Sequence, residues 1–320
     1  MIKVFNSSTL RQLLPMKALI KAVRSAFLAN ARKELNEAPR TTLPASKTLG
    51  YFAESSDGRE TSVKIASVRR ENRLAGIPSM NGLVLWFDEY GRPAAVINAE
   101  TLTAMRTGAV SGVATDLLAS DSANAIAIIG SGGQAFDQVR AMMAVRPIST
   151  IKAYSKRESD FGRFSGLVHQ EFPHVKLELA NSVEEAVRDV DIVCTATTAT
   201  SALFESGMLA ERVHVNSIGA FPHDVRELSH SVLANAEIVV VDNLDWARSE
   251  AGDIISALET GCITVNALTP LADALQRPVE DPRGLTVFKS VGLPIQDWAA
   301  TKLLIETSRG RDDIPTISLD

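Results

Sequence analysis

"AIAIIGSGGQAFDQVRAM", residues 125–142, joins an uninterrupted apolar run to three glycines and then to a segment with helical spacing. The apolar run has the composition of a buried β-strand, and the segment after the glycines predicts an α-helix. Gly130, Gly132 and Ala135 fill the spacing G-x-G-x-x-G/A, which permits a tight turn, a close backbone approach and close helix packing. A structural turn without a ligand is the alternative interpretation of these glycines.

Strand and helix patterns alternate after this turn. Short apolar runs that predict strands recur along the second half of the chain: "TIKAYS", "VKLELA", "DIVCTAT", "HVNSIG", "EIVVVDN" and "LTVFKSVG". Because these runs are short and mostly apolar, both faces of their sheet are expected to be covered by helices. The pattern predicts a doubly wound parallel sheet of the Rossmann type, in which the amides of the glycine turn bind the diphosphate of a dinucleotide.

The residues before this sheet have a different pattern. Helical spacing over residues 8–35 is interrupted at Pro15, which opens a second helix. "TSVKIASV" (61–68) alternates as a strand does, and "NGLVLWFDEYGRPAAVIN" (81–98) predicts a hairpin that turns at residues 88–91. The first part of the chain is therefore expected to be α+β.

The composition excludes several classes of protein. The chain has 320 residues, of which 45% are hydrophobic and 22% charged, as is typical of globular proteins. A formal net charge of −5 gives no basic surface for nucleic acid. The chain has neither an apolar run of roughly 18 residues nor the pattern of a signal peptide, so we expect a cytoplasmic protein without a membrane partner. Cys194 and Cys262 lack CxxC spacing, and the histidines lack metal-ligand spacing, so no metal is expected.

The end of the second predicted strand of the sheet bears on the choice of dinucleotide. NAD-preferring sites place a carboxylate there to bind the ribose 2′-hydroxyl, whereas this chain has Ser155, Lys156 and Arg157, and its first acid is Glu158. A hydroxyl and two cations suit a 2′-phosphate. We therefore expect NADPH (NADP) rather than NADH, with a solvated surface loop as the alternative interpretation.

Six stretches along the chain resemble the ornithine cyclodeaminase/mu-crystallin family. They are "PRTTLP" (39–44), "SVKIASV" (62–68), "RTGAVSGVAT" (106–115), "GSGGQAFDQ" (130–138), "NSIGAFPHDVREL" (216–228) and "FKSVGLPIQD" (288–297). The resemblance implies a substrate-binding and dimerisation domain at residues 1–118 with 294–320, and an NAD(P)-binding Rossmann domain at residues 119–293. It further implies a homodimer that binds a nicotinamide cofactor and a small amino or imino acid.

The resemblance also implies roles for three cations. Arg40, Lys64 and Arg106 match positions that bind the substrate carboxylate, and a guanidinium can bind a carboxylate through two parallel hydrogen bonds. Each of them, taken alone, would be interpreted as a surface cation, and only the family positions favour the binding role for all three. Lys64 lies on an alternating strand and could also serve as a catalytic proton donor if burial lowers its pKa.

The expected cofactor contacts combine the glycine turn, the end of the second strand and positions taken from the resemblance. They are Thr107, Gly130, Ser131, Gly132, Gly133, Gln134, Ala135, Ser155, Lys156, Arg157, Thr195, Ala196, Ser217, Gly219, Ser290, Val291 and Gly292.

One departure from the family pattern bears on the activity. The family's cyclodeaminases carry an aspartate two residues after the glycine of the "NSIG" strand, whereas this chain has Phe221, which cannot accept a proton. The variant resembles ketimine reductases and amino acid dehydrogenases, and Phe221 would make the substrate site more apolar. His223 and Asp224 are the local candidates for acid–base catalysis, and a polar loop in which Asp224 pairs with Arg226 is the alternative.

These features predict an NAD(P)H-dependent oxidoreductase. It would reduce the C=N bond of a cyclic 2-imino acid such as pyrroline- or piperideine-2-carboxylate, or carry out the related amino acid dehydrogenation. Ornithine cyclodeamination is the first alternative, and Phe221 argues against it. A non-catalytic NADPH-binding protein is the second.

Overall fold

The computed structural model describes residues 1–219, 226–277 and 282–318. It divides into two compact units, Met1–Val110 with Leu293–Asp320, and Ser111–Gly292. Among the described residues, no helix is both long enough and apolar enough to span a bilayer.

The first unit begins with β1 (Ile2–Phe5), α1 (Ser7–Leu13), α2 (Met16–Ala31), β2 (Leu35–Glu37), β3 (Thr41–Leu43), β4 (Thr48–Ser55), β5 (Thr61–Val68), β6 (Met80–Phe87), β7 (Pro93–Asn98) and the start of α3 (Ala99–Leu118). The second unit contains the end of α3 and then β8 (Ala125–Ile129), α4 (Ala135–Val145), β9 (Thr150–Tyr154), α5 (Glu158–Glu171), β10 (Lys176–Leu179), α6 (Val183–Val187), β11 (Ile192–Thr195), β12 (Val213–Ser217), α7 (His230–Ala234), β13 (Ile238–Val241), α8 (Leu244–Glu250), α9 (Gly252–Glu259), β14 (Leu268–Pro270), α10 (Leu271–Gln276) and β15 (Leu285–Lys289). The chain then returns to the first unit with α11 (Pro294–Thr307) and β16 (Thr316–Ile317).

The sheet of the first unit has the strand order β16-β1-β7-β6-β5-β4-β2, with β3 paired to β4. Its β6–β7 hairpin turns where the sequence predicts, because Gly91 adopts a φ of 70° and donates its N–H to the Asp88 carbonyl at 2.8 Å. Pro15 separates α1 from α2, also as predicted, since proline lacks the N–H that a continuous helix requires.

Side chains alternate between the two faces of this sheet. Tyr51 and Ala66 are buried on one face, whereas Phe52, Ile65 and Leu83 are 38–51% exposed on the other. Ile65 and Leu83 are directly opposite each other on β5 and β6, so the exposed apolar side chains form a continuous patch.

The sheet of the second unit is entirely parallel, in the order β10-β9-β8-β11-β12-β15-β13-β14. The strand order reverses between β8 and β11, which are the first and fourth strands of this sheet in chain order. Ligands of doubly wound sheets bind outside the carboxyl ends of the strands at such a reversal. The predicted fold class, a Rossmann-type parallel sheet with an α+β unit, is confirmed.

Candidate functional site

Two of the predicted substrate-binding cations meet at a buried carboxylate in the first unit. Lys64 on β5 places its Nζ 2.6 Å from Oδ2 of Asp297, which lies in the first turn of α11. Arg106 on α3 donates from Nε to the Asp297 Oδ1 at 3.1 Å. The side chains of all three residues are at most 5% exposed. Asp297 therefore bridges the two cations and fixes the direction of both.

Further contacts surround this cluster. Arg106 donates a second hydrogen bond to Oε1 of Gln296 at 2.5 Å. The Tyr51 ring lies 3.9 Å from the Lys64 Nζ and 4.8 Å from the Arg40 Cζ. The structure thus brings the three predicted cations together. A guanidinium carries five N–H donors, so Arg106 has the capacity to bind a further carboxylate in addition to these two acceptors.

Burial shifts the proton equilibria of the cluster. Burial lowers the pKa of Lys64 to about 7, and the positive charges of Arg106 and Arg40 act in the same direction, although the Asp297 charge opposes them. Burial also acts to raise the pKa of Asp297, but the charges of Lys64 and Arg106 outweigh this effect and hold the pKa below its ordinary value. The cluster therefore combines an ionised carboxylate with an amine that exchanges its proton near neutral pH.

The glycine turn lies at the carboxyl end of β8 in the second unit. Gly130 has a φ of 94°, and a Cβ at this position would lie 2.7 Å from the Ala196 carbonyl oxygen. A Cβ at Gly133 would meet no atom within 4 Å, and α4 begins at Ala135 without a side-chain hydrogen bond from its N-cap, Gln134. Open space beside a helix N-terminus without a side-chain cap suits a diphosphate.

The end of β9 lies beside this turn. The hydroxyl of Ser131 donates to the hydroxyl of Ser155 at 2.6 Å. Arg157 donates from Nε to Asp160 on α5 at 2.8 Å, and Lys156 is exposed. Ser155 is therefore beside the glycine turn and Lys156 is exposed, whereas Arg157 is paired with an acid of α5.

A buried carboxylate brings together three of the residues expected to contact the cofactor. Oε2 of Glu227 accepts hydrogen bonds from the hydroxyls of Thr195 and Ser217, at 2.7 and 3.1 Å. The same oxygen accepts from the N–H of Gly219 at 2.8 Å, and Oε1 accepts from the N–H of Thr197 at 2.7 Å. Glu227 therefore joins the segments that follow β11 and β12.

A second carboxylate holds the segment after β15. Oδ2 of Asp242 accepts from the Ser290 hydroxyl at 2.8 Å and from the N–H groups of Val291 and Gly292, both at 2.9 Å. Burial raises the pKa of Asp242 although these hydrogen bonds act against it. Asp242, the residue after β13, thus fixes the backbone of the predicted contact residues that follow β15.

The remaining predicted residues are placed as follows. Thr107 is buried on α3, next to Arg106 in the chain. Phe221, His223 and Asp224 lie outside the described residues. Within the residues that the structure describes, no group of three histidine, cysteine, aspartate or glutamate side chains could hold a metal ion.

The two residues that accept hydrogen bonds from the cations of the cluster were not among the predicted site residues. Asp297 and Gln296 lie within the quoted stretch "FKSVGLPIQD", yet an acid in the first turn of a helix is ordinarily interpreted as a favourable interaction with the helix dipole. The available signal was the position of Asp297 in a helix start that also carries Pro294, Ile295 and Trp298, where burial of the carboxylate requires a cationic partner.

The first unit also contains a cavity of about 650 Å³, whose lining includes Trp86, Trp298, Glu60 and Lys302. Lys64, Arg106 and Asp297 do not line it. The cavity and the cation cluster are therefore separate features of this unit.

The chain belongs to the ornithine cyclodeaminase/mu-crystallin family, whose family model matches residues 3–312. It is 33% identical over 318 residues to Delta(1)-pyrroline-2-carboxylate reductase of Bacillus cereus, covering 95% of each chain. The structure of Thermococcus litoralis Delta(1)-pyrroline-2-carboxylate reductase in complex with NADH and L-proline superposes with a TM-score of 0.92 at 30% identity, over 99% of this chain and 100% of that one. An archaeal alanine dehydrogenase dimer with bound NAD gives a TM-score of 0.89 at 26% identity, over 100% and 99% of the two chains. The predicted family is confirmed.

The glycine turn generates a prediction about stability. Gly130→Ala should destabilise the protein by about 1–3 kcal/mol, because its φ of 94° is unfavourable for a residue with a Cβ and the added methyl overlaps the Ala196 carbonyl. Gly133→Ala is the matched control and should change stability by less than about 0.5 kcal/mol, since a Cβ there meets nothing. Urea unfolding measures both variants, and equal losses would contradict the assignment.

Proposed function

We propose that this protein reduces the C=N bond of cyclic 2-imino acids of the pyrroline-2-carboxylate type, using a nicotinamide dinucleotide. The observation that carries the proposal is the buried pair of cations, Lys64 and Arg106, oriented by Asp297 in a chain whose relatives include Delta(1)-pyrroline-2-carboxylate reductases. The expectation drawn from the sequence agrees with the activity named for those relatives.

The substrate carboxylate would bind at the cation cluster. Lys64 and Arg106 together carry one more charge than Asp297 compensates, so a substrate carboxylate neutralises the excess. Both cations are held by Asp297 before the substrate arrives, so little side-chain entropy is lost on binding. The guanidinium of Arg40 lies over the same Tyr51 ring as the Lys64 ammonium and adds a third cation. Fixing the carboxylate also fixes the adjacent C=N carbon, and such orientation contributes much of the rate.

Lys64 would supply the proton that the imine nitrogen gains. A protonated imine is more electrophilic at its carbon, and a donor with a pKa near the working pH transfers its proton most effectively. Lys64, with a pKa lowered to about 7, meets this condition. Binding of the substrate carboxylate nearby raises the pKa of Lys64, because a negative charge favours the protonated amine.

The dinucleotide would be held by the second unit. The glycine turn at residues 130–135 and the amides of α4 would bind its diphosphate, and the residues joined by Glu227 and Asp242 would receive its other half. The bound nicotinamide supplies the hydride that the imine carbon gains. We further propose a preference for NADPH, because Ser155, Lys156 and Arg157 provide a hydroxyl and two cations in place of a carboxylate.

A single assay tests the activity and the cofactor preference. The purified protein should oxidise NADPH stoichiometrically with pyrroline-2-carboxylate or piperideine-2-carboxylate, followed by absorbance of the reduced nicotinamide, with a higher kcat/KM for NADPH than for NADH. Release of ammonia from ornithine would instead identify a cyclodeaminase. Tight cofactor binding without turnover of any imino acid would identify a binding protein, and a preference for NADH would overturn the cofactor choice alone.

The role of Lys64 predicts a pH dependence. For imine reduction, kcat/KM should stay constant below about pH 7 and fall as the pH rises above it, because Lys64 then loses its proton. Lys64→Met should lower kcat by about 100-fold and abolish this inflection. Lys302→Met is the matched control and should keep the profile. Lys302 lies on α11, as Asp297 does, but its ammonium pairs with Glu60. An unchanged inflection in Lys64→Met would transfer the proton-donor role elsewhere.

We also propose a homodimer formed through the apolar patch of Phe52, Ile65 and Leu83. Large exposed apolar patches mark contact surfaces, and a relative of this chain, the archaeal alanine dehydrogenase, is a dimer. A second copy of the same sheet face would cover the patch symmetrically.

A charge in this patch should dissociate the dimer. Ile65→Glu introduces a carboxylate that would be buried in the interface, so sedimentation velocity should show a shift from dimer to monomer. Leu179→Glu on β10 is the matched control, because Leu179 is similarly exposed, at 48%, but lies outside the patch. A dimer that persists in Ile65→Glu would refute this interface.

A further inference from the structure

Glu227 belongs to a closed network of charges in the second unit. The N–H groups of Glu227 and Leu228 donate to Oδ1 of Asp253 on α9, at 2.6 and 3.0 Å. Oδ2 of Asp253 lies 2.6 Å from Nζ of Lys289, the last residue of β15. Lys289 in turn donates to the Ser217 hydroxyl at 3.1 Å, which itself donates to Glu227. The network is sealed from solvent, since Glu227, Asp253 and Lys289 are each at most 1% exposed.

The network lies where a ligand of this fold binds. Its donors follow β11 and β12 directly, and Lys289 ends β15, so the network occupies the carboxyl ends of three adjacent parallel strands. The glycine turn follows β8, on the other side of the reversal in strand order. In doubly wound folds the two halves of a dinucleotide lie over the two sides of this reversal.

The contacts of Glu227 require a charged acceptor. Two of its four donors are backbone N–H groups, of Thr197 and Gly219, which cannot reverse their direction as a hydroxyl can. A Cβ at Gly219 would overlap the Glu227 carboxyl group, so the absence of a side chain lets the carboxylate approach the backbone. Lys289 compensates the buried charge, and although burial acts to lower its pKa, Asp253 and Glu227 outweigh this and raise it.

We propose that Glu227 is a positioning residue, which holds the segments after β11 and β12 in the conformation that receives the nicotinamide half of the cofactor. The inference rests on the proposed function. It adds a residue that affects cofactor binding indirectly, by fixing the backbone at Thr197 and Gly219. Glu227 itself would make no contact with the reacting atoms. Its carboxylate accepts hydrogen bonds from four donors of the protein.

Glu227→Gln tests this role with almost no change of volume. Its amide nitrogen cannot accept a hydrogen bond, so either the Thr197 or the Gly219 N–H loses its acceptor. We expect the Kd for NADPH, measured by fluorescence titration, to rise about tenfold, and kcat to fall more than the KM of the imino acid changes. Amide hydrogen exchange should become faster in residues 195–199 and 217–219 of the protein without cofactor.

Asp191→Asn provides the matched control. Oδ2 of Asp191 accepts the N–H groups of Asn124 and Ala125 at 2.8 and 2.9 Å, at the amino end of β8 and so at the opposite edge of the same sheet. This variant should lose stability without a change in the Kd for NADPH. Glu227→Asp, which retains the charge, should restore part of the affinity that Glu227→Gln loses.

The outcomes separate this inference from the proposed function. Equal losses of thermal stability in Glu227→Gln and Asp191→Asn, with the wild-type Kd for NADPH in both, would make Glu227 merely structural and overturn the inference. A wild-type protein that binds neither NADPH nor NADH would overturn the proposed function as well. If the wild-type protein binds NADPH, and Glu227→Gln keeps both the wild-type Kd and slow amide hydrogen exchange in residues 195–199 and 217–219, only the inference about Glu227 is refuted.

Discussion

The compensation of two buried cations by one buried carboxylate is the interaction on which the first unit depends. Asp297 is 233 positions from Lys64 and 191 positions from Arg106 in the chain, so the two pairs tie α11 to β5 and to α3. Removing one member of a buried ion pair leaves a charge without a partner and costs about 3–5 kcal/mol. Any arrangement of α11 that moved Asp297 away from the sheet would leave two such charges. The pairs therefore specify where the last helix packs as well as how the cations are oriented.

The second unit uses buried carboxylates for a different purpose. The last residues of parallel strands lead into turns whose backbone N–H groups have lost their strand partners, and buried N–H groups require acceptors. Glu227 supplies these acceptors after β11 and β12, and Asp242 supplies them after β15. A carboxylate can accept several hydrogen bonds at once, so the single side chain of Glu227 fixes two separate segments. As a result, the backbone at the carboxyl ends of these strands is fixed by hydrogen bonds before any ligand binds.

The sequence predicts those parts of the fold that have a local cause. Continuous apolar strands, the glycine turn, the helix break at Pro15 and the hairpin ending at Gly91 each follow from a few neighbouring residues, and the structure contains all of them. The position of β15 between β12 and β13 has no local signal, because it depends on which strand completes the sheet. The partners of Lys64 and Lys289 were missed for the same reason. Both pairs form across long stretches of chain, where periodicity carries no information.

The cation cluster links binding to proton transfer through a single electrostatic balance. Lys64, Arg106 and Asp297 together leave an excess of one positive charge in a buried place. Burial lowers the pKa of Lys64 to about 7, and the charges of Arg106 and Arg40 act in the same direction, whereas Asp297 acts against them. A bound monocarboxylate removes the excess, which makes the protonated amine more stable than it is in the free protein. Under the proposed function, Lys64 is therefore protonated when an imino acid is present to receive the proton. Without Asp297 the excess would be twice as large and would drive the proton from Lys64 before the substrate could bind. A neutral residue in place of Arg106 would remove one of the cations that attract the carboxylate, so Lys64 depends on both Asp297 and Arg106.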